Sequence, residues 1–336
     1  MQNITHSRAL ILRILDYPSF MTILLIALNL TLLVLLVYIV RSLRTIGSKL
    51  SSLQTSQKLG MKDLNKQISS YRQMVKRVTQ IQELPMGERK SASWDFVLSL
   101  TSHEPRFHAL PKVLEGLKYQ LLQPKKIFLN IAHHEIEKLP QRVKDLAASG
   151  YLTINSVDDL GPAKKLIPVL KTERELPIIV IDDDLEFDTE LFMHLMAQHH
   201  LYPKAVIASR VHQITTQVNG DLKRFDQWNK QFVESDGPVA DLMPTSGAGT
   251  LYPVGSLHSD AADAELYQQL SNFTDDLWWY FQARRNGTLI RRISGFSDLN
   301  FIEATQEAGL WKNGNQDRNE SNLLNLIQKY GNPLQF

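Results

Sequence analysis

Three consecutive carboxylates, Asp182, Asp183 and Asp184, close a four-residue apolar run, Ile178 to Ile181, in the stretch PIIVIDDDLEFDTELF. Like charges set side by side repel one another, so something positive must complete such a site. Oxygen ligands grouped in this way suit a hard divalent cation, Mn2+ or Mg2+, which often bridges to a phosphate. On an extended chain Asp182 and Asp184 point to one side and Asp183 to the other. The first pair would then neutralise a metal, and the metal a substrate diphosphate. The plain alternative is a solvated helix start, since Asp188 is a good N-cap for the segment that follows. An EF-hand loop is ruled out, because its sixth position requires glycine and here holds Phe187.

Three further stretches carry residue types that could act on the same ligand. VDDLGPAKKLIP, residues 157–168, turns at Gly161 and Pro162 and places Lys164 and Lys165 in the first turn of a helix. Cations there oppose the helix dipole, which makes sense where they meet an anionic phosphate; as solvated surface lysines they would mean nothing. TDDLWWYF, residues 274–281, opens an aromatic-rich helix on the acidic pair Asp275 and Asp276. That pair offers a general base beside a sugar-stacking surface, or else an N-cap with Trp278 and Trp279 in the core. Between them lies SGAG, Ser246 to Gly249, ahead of the short strand TLYPV. Its glycines allow backbone to approach a ligand closely.

Alternating strand and helix signals must position these residues. Strands are predicted at Trp94–Leu100, Lys126–Ala132, Leu152–Val157, Ile178–Ile181 and Val206–Ser209. Helices are predicted over Leu110–Leu122, Pro140–Ala148, Ala163–Leu170 and Thr189–His200. The alternation argues an α/β domain over 94–330 with a mainly parallel sheet flanked by helices. Ligands of such sheets sit beyond the carboxyl ends of the strands, where the three aspartates fall. Trp311 to Asn322 reads as a polar loop, Leu323 to Tyr330 as a closing helix, and 331–336 as a tail.

The remainder of the chain bounds the setting. A formal net charge of +2 over 336 residues gives no global case for nucleic-acid binding. With no cysteine there is neither a disulfide framework nor a thiolate zinc site. After an N-terminal segment, 1–20, the run MTILLIALNLTLLVLLVYIV over 21–40 carries no charge. Twenty helical residues rise about 30 Å, the thickness of the bilayer's hydrocarbon core. A cleaved signal peptide would have a shorter apolar core ending in small residues, so the segment reads as a retained transmembrane helix. Arg8 and Arg13 precede it, whereas Arg41, Arg44, Lys49 and Lys58 follow, which places the bulk of the chain in the cytoplasm. Residues 41–84 form a helical stalk with a heptad-like seam. That seam reads equally as a coiled coil pairing two copies of the chain or as one amphipathic helix packed on its domain or on the membrane. Pro85 and Gly87 open a hinge, 85–93.

Taken in order, VLSLTSHEPRF, VDDLGPAKKLIPVL, IIVIDDDLEF, SGAGTLYP and TDDLWWYFQARRNG resemble a bacterial GT-A-fold glycosyltransferase of the family-2-like kind. The resemblance covers roughly Trp94 to Tyr330. It implies a GT-A-like (Rossmann-like) domain that transfers a sugar from a nucleotide-sugar donor to a glycan or lipid-linked acceptor at the bacterial inner membrane, with inversion. It implies that Asp182 and Asp184 hold the metal and that Asp182 and Asp183 meet the donor. Thr101, Ser102, Arg106 and Asp159 would line the nucleotide, and Lys164 or Lys165 would contact donor phosphate or support that loop. Asp276 or Asp275 would be the catalytic base, and Gly247, Gly249 and Trp278 would lie near donor sugar and acceptor. His103 and Glu104 depart from the family's usual residues and leave base specificity open. Haloacid dehalogenase-type phosphatases also carry Asp-x-Asp after an apolar strand, but theirs opens the domain and continues with Thr or Val, whereas Leu185 follows here. Two other readings stand beside the transferase: an inactive membrane scaffold on the same fold, and a metal-dependent phosphohydrolase.

Overall fold

The computed structural model describes residues 94–303, Thr305 and 315–336. The N-terminal segment, the expected membrane span at 21–40, the stalk at 41–84 and the hinge at 85–93 lie outside the described residues. Among the described residues no helix is long and apolar enough to cross a membrane.

The chain runs β1 (Val97–Thr101), α1 (Leu110–Gly116), β2 (Lys126–Ala132), α2 (Gln141–Ala148), β3 (Thr153–Val157), α3 (Ile167–Thr172) and β4 (Ile178–Val180). It continues through β5 (Leu185–Glu186), α4 (Leu191–Leu201), β6 (Val206–Ala208), β7 (Val211–Gln213), β8 (Leu242–Pro244) and β9 (Thr250–Tyr252). The last part is α5 (Ala264–Ser271), α6 (Asp275–Arg285), β10 (Ile290–Arg292), β11 (Asn300–Phe301) and α7 (Asn315–Tyr330). Seven strands form one sheet in the order β10-β6-β9-β4-β1-β2-β3, and β5–β11 and β7–β8 make two-stranded ribbons. Every pairing in the large sheet is parallel except those of β9, which runs antiparallel to both β4 and β6. The mainly parallel α/β sheet expected from the sequence is therefore present.

Burial on both faces explains the strand sequences. Ile178 and Val180 of β4 join one apolar cluster, together with Trp278, Trp279 and Leu326. Ile179 and Ile181 join the other, with Leu98, Leu100, Phe192 and Leu195. A strand covered on both sides reads as a continuous apolar run, as this one does.

Three expected boundaries shift, each for a local reason. The helix predicted over Ala163–Leu170 divides into a 3-10 turn, Gly161–Lys165, and then α3. Pro168 has no N–H and its ring would clash with a carbonyl one turn back, so the helix restarts there. The helix predicted to reach Leu122 leaves α geometry at Gly116 and finishes as a 3-10 turn, Leu117–Tyr119. The polar stretch before Leu323 is helical from Asn315 onward. Asn319 and Asn322 continue its buried stripe, and Asn322 Nδ2 donates to Asn272 O and Thr274 Oγ1. Read as polar residues, they hid the helix face. The final residues are docked as well: Arg284 donates to Pro333 O and Phe336 O.

Candidate active site

Because β9 runs against its neighbours, its first residue lies level with the last residues of theirs. Thr250 pairs with Val180 at the end of β4 and with Ala208 at the end of β6. The preceding loop, Ser246–Gly249, is thereby placed at the same edge as Asp182, Thr101 and Ser102, beyond the carboxyl ends of the parallel strands, which is where the ligand crevice of such sheets lies. Asp182 N donates to Gly247 O at 2.9 Å, and a Cβ built on Gly247 would lie 1.7 Å from Asp182 Oδ2. Glycine is required here by contact with a carboxylate of this chain, not by room for a ligand.

The positive partners of the three aspartates are side chains of the chain itself. Lys165 Nζ lies 2.6 Å from Asp182 Oδ1 and 3.2 Å from Asp275 Oδ2, so it joins the strand end to the start of α6. Its side chain is 4% exposed. Burial opposes that charge, but Asp182, Asp275 and Asp276 outweigh it and hold the ammonium well above its ordinary value. A polar chain inside the sheet fixes its backbone: Asn155 Nδ2 donates to Asn130 Oδ1, Asn130 Nδ2 to Ser99 Oγ, and Ser99 Oγ to Lys165 O. Arg106 forks across the other two carboxylates, with Nη1 2.9 Å from Asp183 Oδ1 and Nη2 3.0 Å from Asp184 Oδ2. Such a fork matches the planar guanidinium to two acceptors at once. Ser102 Oγ donates to the remaining oxygen of Asp183.

Asp183 and Asp184 therefore share a partner and a buried setting, whereas Asp182 stands apart, 38% exposed at its side chain. The alternation predicted for an extended chain does not hold, because β4 stops at Val180 and the chain bends at Asp183 and Asp184. Burial and the neighbouring Asp182 charge raise Asp184 to about 7.

The acidic pair of α6 divides its roles. Asp275 is buried, bound to Lys165 and within 3.4 Å of Trp279 Nε1. Asp276 is half-buried and accepts the Ser246 N–H at 2.8 Å and the Ser246 hydroxyl at 2.5 Å, both on Oδ1. Its Oδ2 has no hydrogen-bond partner among the described residues. Burial and Asp275 push Asp276 up to about 6, with Lys165 and Ser246 opposing. A carboxylate titrating near neutrality with one uncommitted oxygen is suited to accepting a proton.

Other residues named from the sequence fall elsewhere. Trp278 is fully buried, donates Nε1 to Ala261 O and packs edge-on to Tyr267, so it offers no face to a sugar. Gly249 adopts φ +109 and a Cβ there would meet Leu191, so it serves the backbone turn rather than an acceptor. Asp188 is not the N-cap of α4; Glu190 is, and Asp188 Oδ1 accepts the Glu190 N–H. Lys164 and Lys165 end a 3-10 turn rather than begin a helix, and both are buried. Lys164 pairs with Asp159 at 2.6 Å, which leaves Asp159 half-exposed on the rim. Thr101 Oγ1 donates to Asn130 O and is tied to the sheet. Sequence reasoning missed Ser246 as the residue that orients Asp276, and nothing but the strand order signals it.

The donor set can be weighed for a divalent cation. Among the described residues no three His, Asp or Glu groups converge as ligands. Asp182, Asp183, Asp184, Asp275 and Asp276 nevertheless face Lys165 and Arg106 with negative charge in excess, which contributes to raising Asp184 and Asp276. The residues fit a cation that arrives with a diphosphate and takes most of its ligands from phosphate and water, with Asp182 as the accessible carboxylate. They do not form an all-protein cage.

No protein-family model and no curated protein matches the chain. Among solved structures, S. aureus TarS 1–349 is similar at 14% identity, over 70% of this chain and 72% of that one, with a TM-score of 0.44. S. aureus TarS 1–349 in complex with UDP is similar at 13% identity, over 61% and 60%, with a TM-score of 0.42. A 4-diphosphocytidyl-2C-methyl-D-erythritol synthase is similar at 12% identity, over 65% and 96%, with a TM-score of 0.37. Likeness at this level carries no argument about chemistry, which rests on the site alone.

Proposed function

We propose that the chain transfers a sugar from a nucleotide-sugar donor to an acceptor hydroxyl with inversion, as a membrane-anchored enzyme of surface-glycan assembly. One observation carries the reading: Ser246 holds Asp276 by two hydrogen bonds and the next residue, Gly247, abuts Asp182, so one short loop joins the base to the charged strand end.

In this reading Asp276 Oδ2 takes the proton of the acceptor hydroxyl as that oxygen attacks the anomeric carbon. The bond from the anomeric carbon to the diphosphate oxygen breaks, and the electron pair leaves with the nucleoside diphosphate. Ser246 fixes the plane of the base. Lys165 holds Asp182 and Asp275 in register, and it lowers the base towards its working range. Arg106 and Ser102 keep Asp183 and Asp184 packed behind the site. A divalent cation bound with the diphosphate, held by Asp182, would supply positive charge to the departing phosphates. The apolar segment at 21–40 would keep the crevice close to membrane-linked acceptors and raise their effective concentration.

The test is calorimetric titration of the full chain in detergent with nucleoside diphosphates and manganese, beside an Asp182→Ala/Asp184→Ala variant. Tight binding of one nucleotide that the variant loses supports the reading and identifies the donor class. A folded chain that binds none of them overturns it in favour of a scaffold. Release of phosphate or sugar without an acceptor would favour hydrolysis.

A further inference from the structure

Close to the proposed base lies a group of basic side chains that the proposed reaction does not use. Arg210 follows β6, and its carbonyl oxygen accepts the Thr245 N–H at 3.0 Å, which ties it to the residue before Ser246. Its Nη1 donates to Thr245 Oγ1 at 3.1 Å, while its Nε is buried with no hydrogen-bond partner. Lys230 donates to Phe225 O at 2.6 Å and lies 3.4 Å from the centre of the Phe225 ring. His212, buried in β7, accepts the Gln231 N–H on Nδ1. Among the described residues no carboxylate comes within salt-bridge distance of Arg210, Lys230 or His212.

Charge of one sign gathered in a half-buried place needs a complement, the same argument that led from the three aspartates to Lys165 and Arg106. Among the described residues Asp276 and Asp226 act on these cations only from beyond salt-bridge distance, and none pairs with them directly. Burial lowers Arg210, with Asp276 opposing. Burial, against Asp226 and with Arg210, brings Lys230 down to about 8. Burial, Arg210 and Lys230 drive His212 down to about 3, so its ring stays neutral. Both Arg210 and Lys230 remain half-buried, within reach of a ligand.

We propose that Arg210 and Lys230 form an anion subsite for the acceptor, receiving a phosphate or carboxylate group that the acceptor carries beside its reacting hydroxyl. The proposal rests on the transferase reading for the word acceptor. The donor diphosphate is assigned to the Asp182–Lys165 end, and Arg210 is joined through Thr245 and Ser246 to Asp276, the group that meets the acceptor. An anion held at Arg210 therefore belongs to the molecule being deprotonated. The diphosphate of a lipid-linked acceptor and the carboxylate or phosphate of an acidic glycan share the chemistry required.

The full chain in detergent is titrated calorimetrically with pyrophosphate and with glucuronate, alone and in the presence of saturating nucleoside diphosphate. The same titrations are run on Arg210→Gln/Lys230→Met and on Arg210→Lys, with melting curves to establish that each variant is folded. Expected is binding that weakens with salt, survives saturating nucleotide, and falls on the order of tenfold or more in the double variant. Arg210→Lys should retain part of it. A preference for pyrophosphate points to a lipid-linked diphosphate, and one for glucuronate to an acidic glycan. Absence of binding to the wild-type chain, equal binding by the folded double variant, or displacement by nucleotide would each overturn the subsite. Because nucleotide binding is read separately through the Asp182→Ala/Asp184→Ala variant, loss of the transferase reading and loss of the subsite give different patterns.

Discussion

Replacing Lys165 by methionine keeps the length of the side chain and removes its charge. In the native chain that ammonium, 4% exposed, lies 2.6 Å from Asp182 and 3.2 Å from Asp275. Removing one partner of a buried ion pair costs about 3–5 kcal/mol, because the other charge is left uncompensated. Asp182 is 38% exposed and water relieves part of its loss, so the lower end of that range applies. At roughly 2–4 °C per kcal/mol for a domain of this size, the melting temperature should fall by about 6–12 °C. The same change acts on Asp276, the proposed base. Asp276 stands at about 6 with Lys165 among the groups holding it down. A nearby opposite charge is worth roughly 1–3 pKa units, so Lys165→Met should carry Asp276 to about 7 or above. At pH 7 the ionised fraction then falls from about nine-tenths to about one half or less. The assay is the pH profile of kcat/KM for transfer, whose acidic limb should move up by about one unit, beside melting curves across pH. Asp182 is held low by Lys165, so its contribution to stability exists above its unfolded pKa and is lost as pH falls through the folded one. In the methionine variant that acid-side loss should shrink. A folded variant that melts within about 2 °C of wild type, with the acidic limb unmoved, would refute the reasoning.

Asp276→Asn should fold, bind nucleotide and lose on the order of 100- to 10,000-fold in kcat, measured as transfer under saturating donor; undiminished kcat would reassign the base. Ser246→Ala removes the hydroxyl bond to Asp276 and should raise the acidic limb of kcat/KM above about 6, because that bond favours the ionised form. Gly247→Ala drives a methyl group into the Asp182 carboxylate and should cost about 1–3 kcal/mol on denaturant unfolding, together with weakened nucleotide binding. Trp278→Ala should cost about 3–5 kcal/mol of stability. Any soluble protein that remains should keep its acceptor KM, whereas a raised KM with normal stability would restore Trp278 to the acceptor side.

Sequence alone determined much about this chain, because some signals are local. An apolar run buried on both faces, a turn at Gly161–Pro162 and an acid pair opening α6 are each read from a few neighbouring residues. They led to a mainly parallel α/β sheet and to Lys165, Asp182 and Asp276 as residues to examine. What completes the aspartates was not local. Lys165 and Arg106 reach them from 17 and 77 residues away, measured from Asp182 and Asp183. The place of β9, and so of Ser246 beside Asp276, follows from one antiparallel insertion in the sheet that no short window encodes. Trp278 illustrates the converse: its type suits a sugar platform, and its burial in the core removes it from that role. A residue type states what a side chain can do, whereas the tertiary structure decides what it touches. Charges and hydrogen bonds act over a few ångströms in space, and only the fold brings distant parts of the sequence that close.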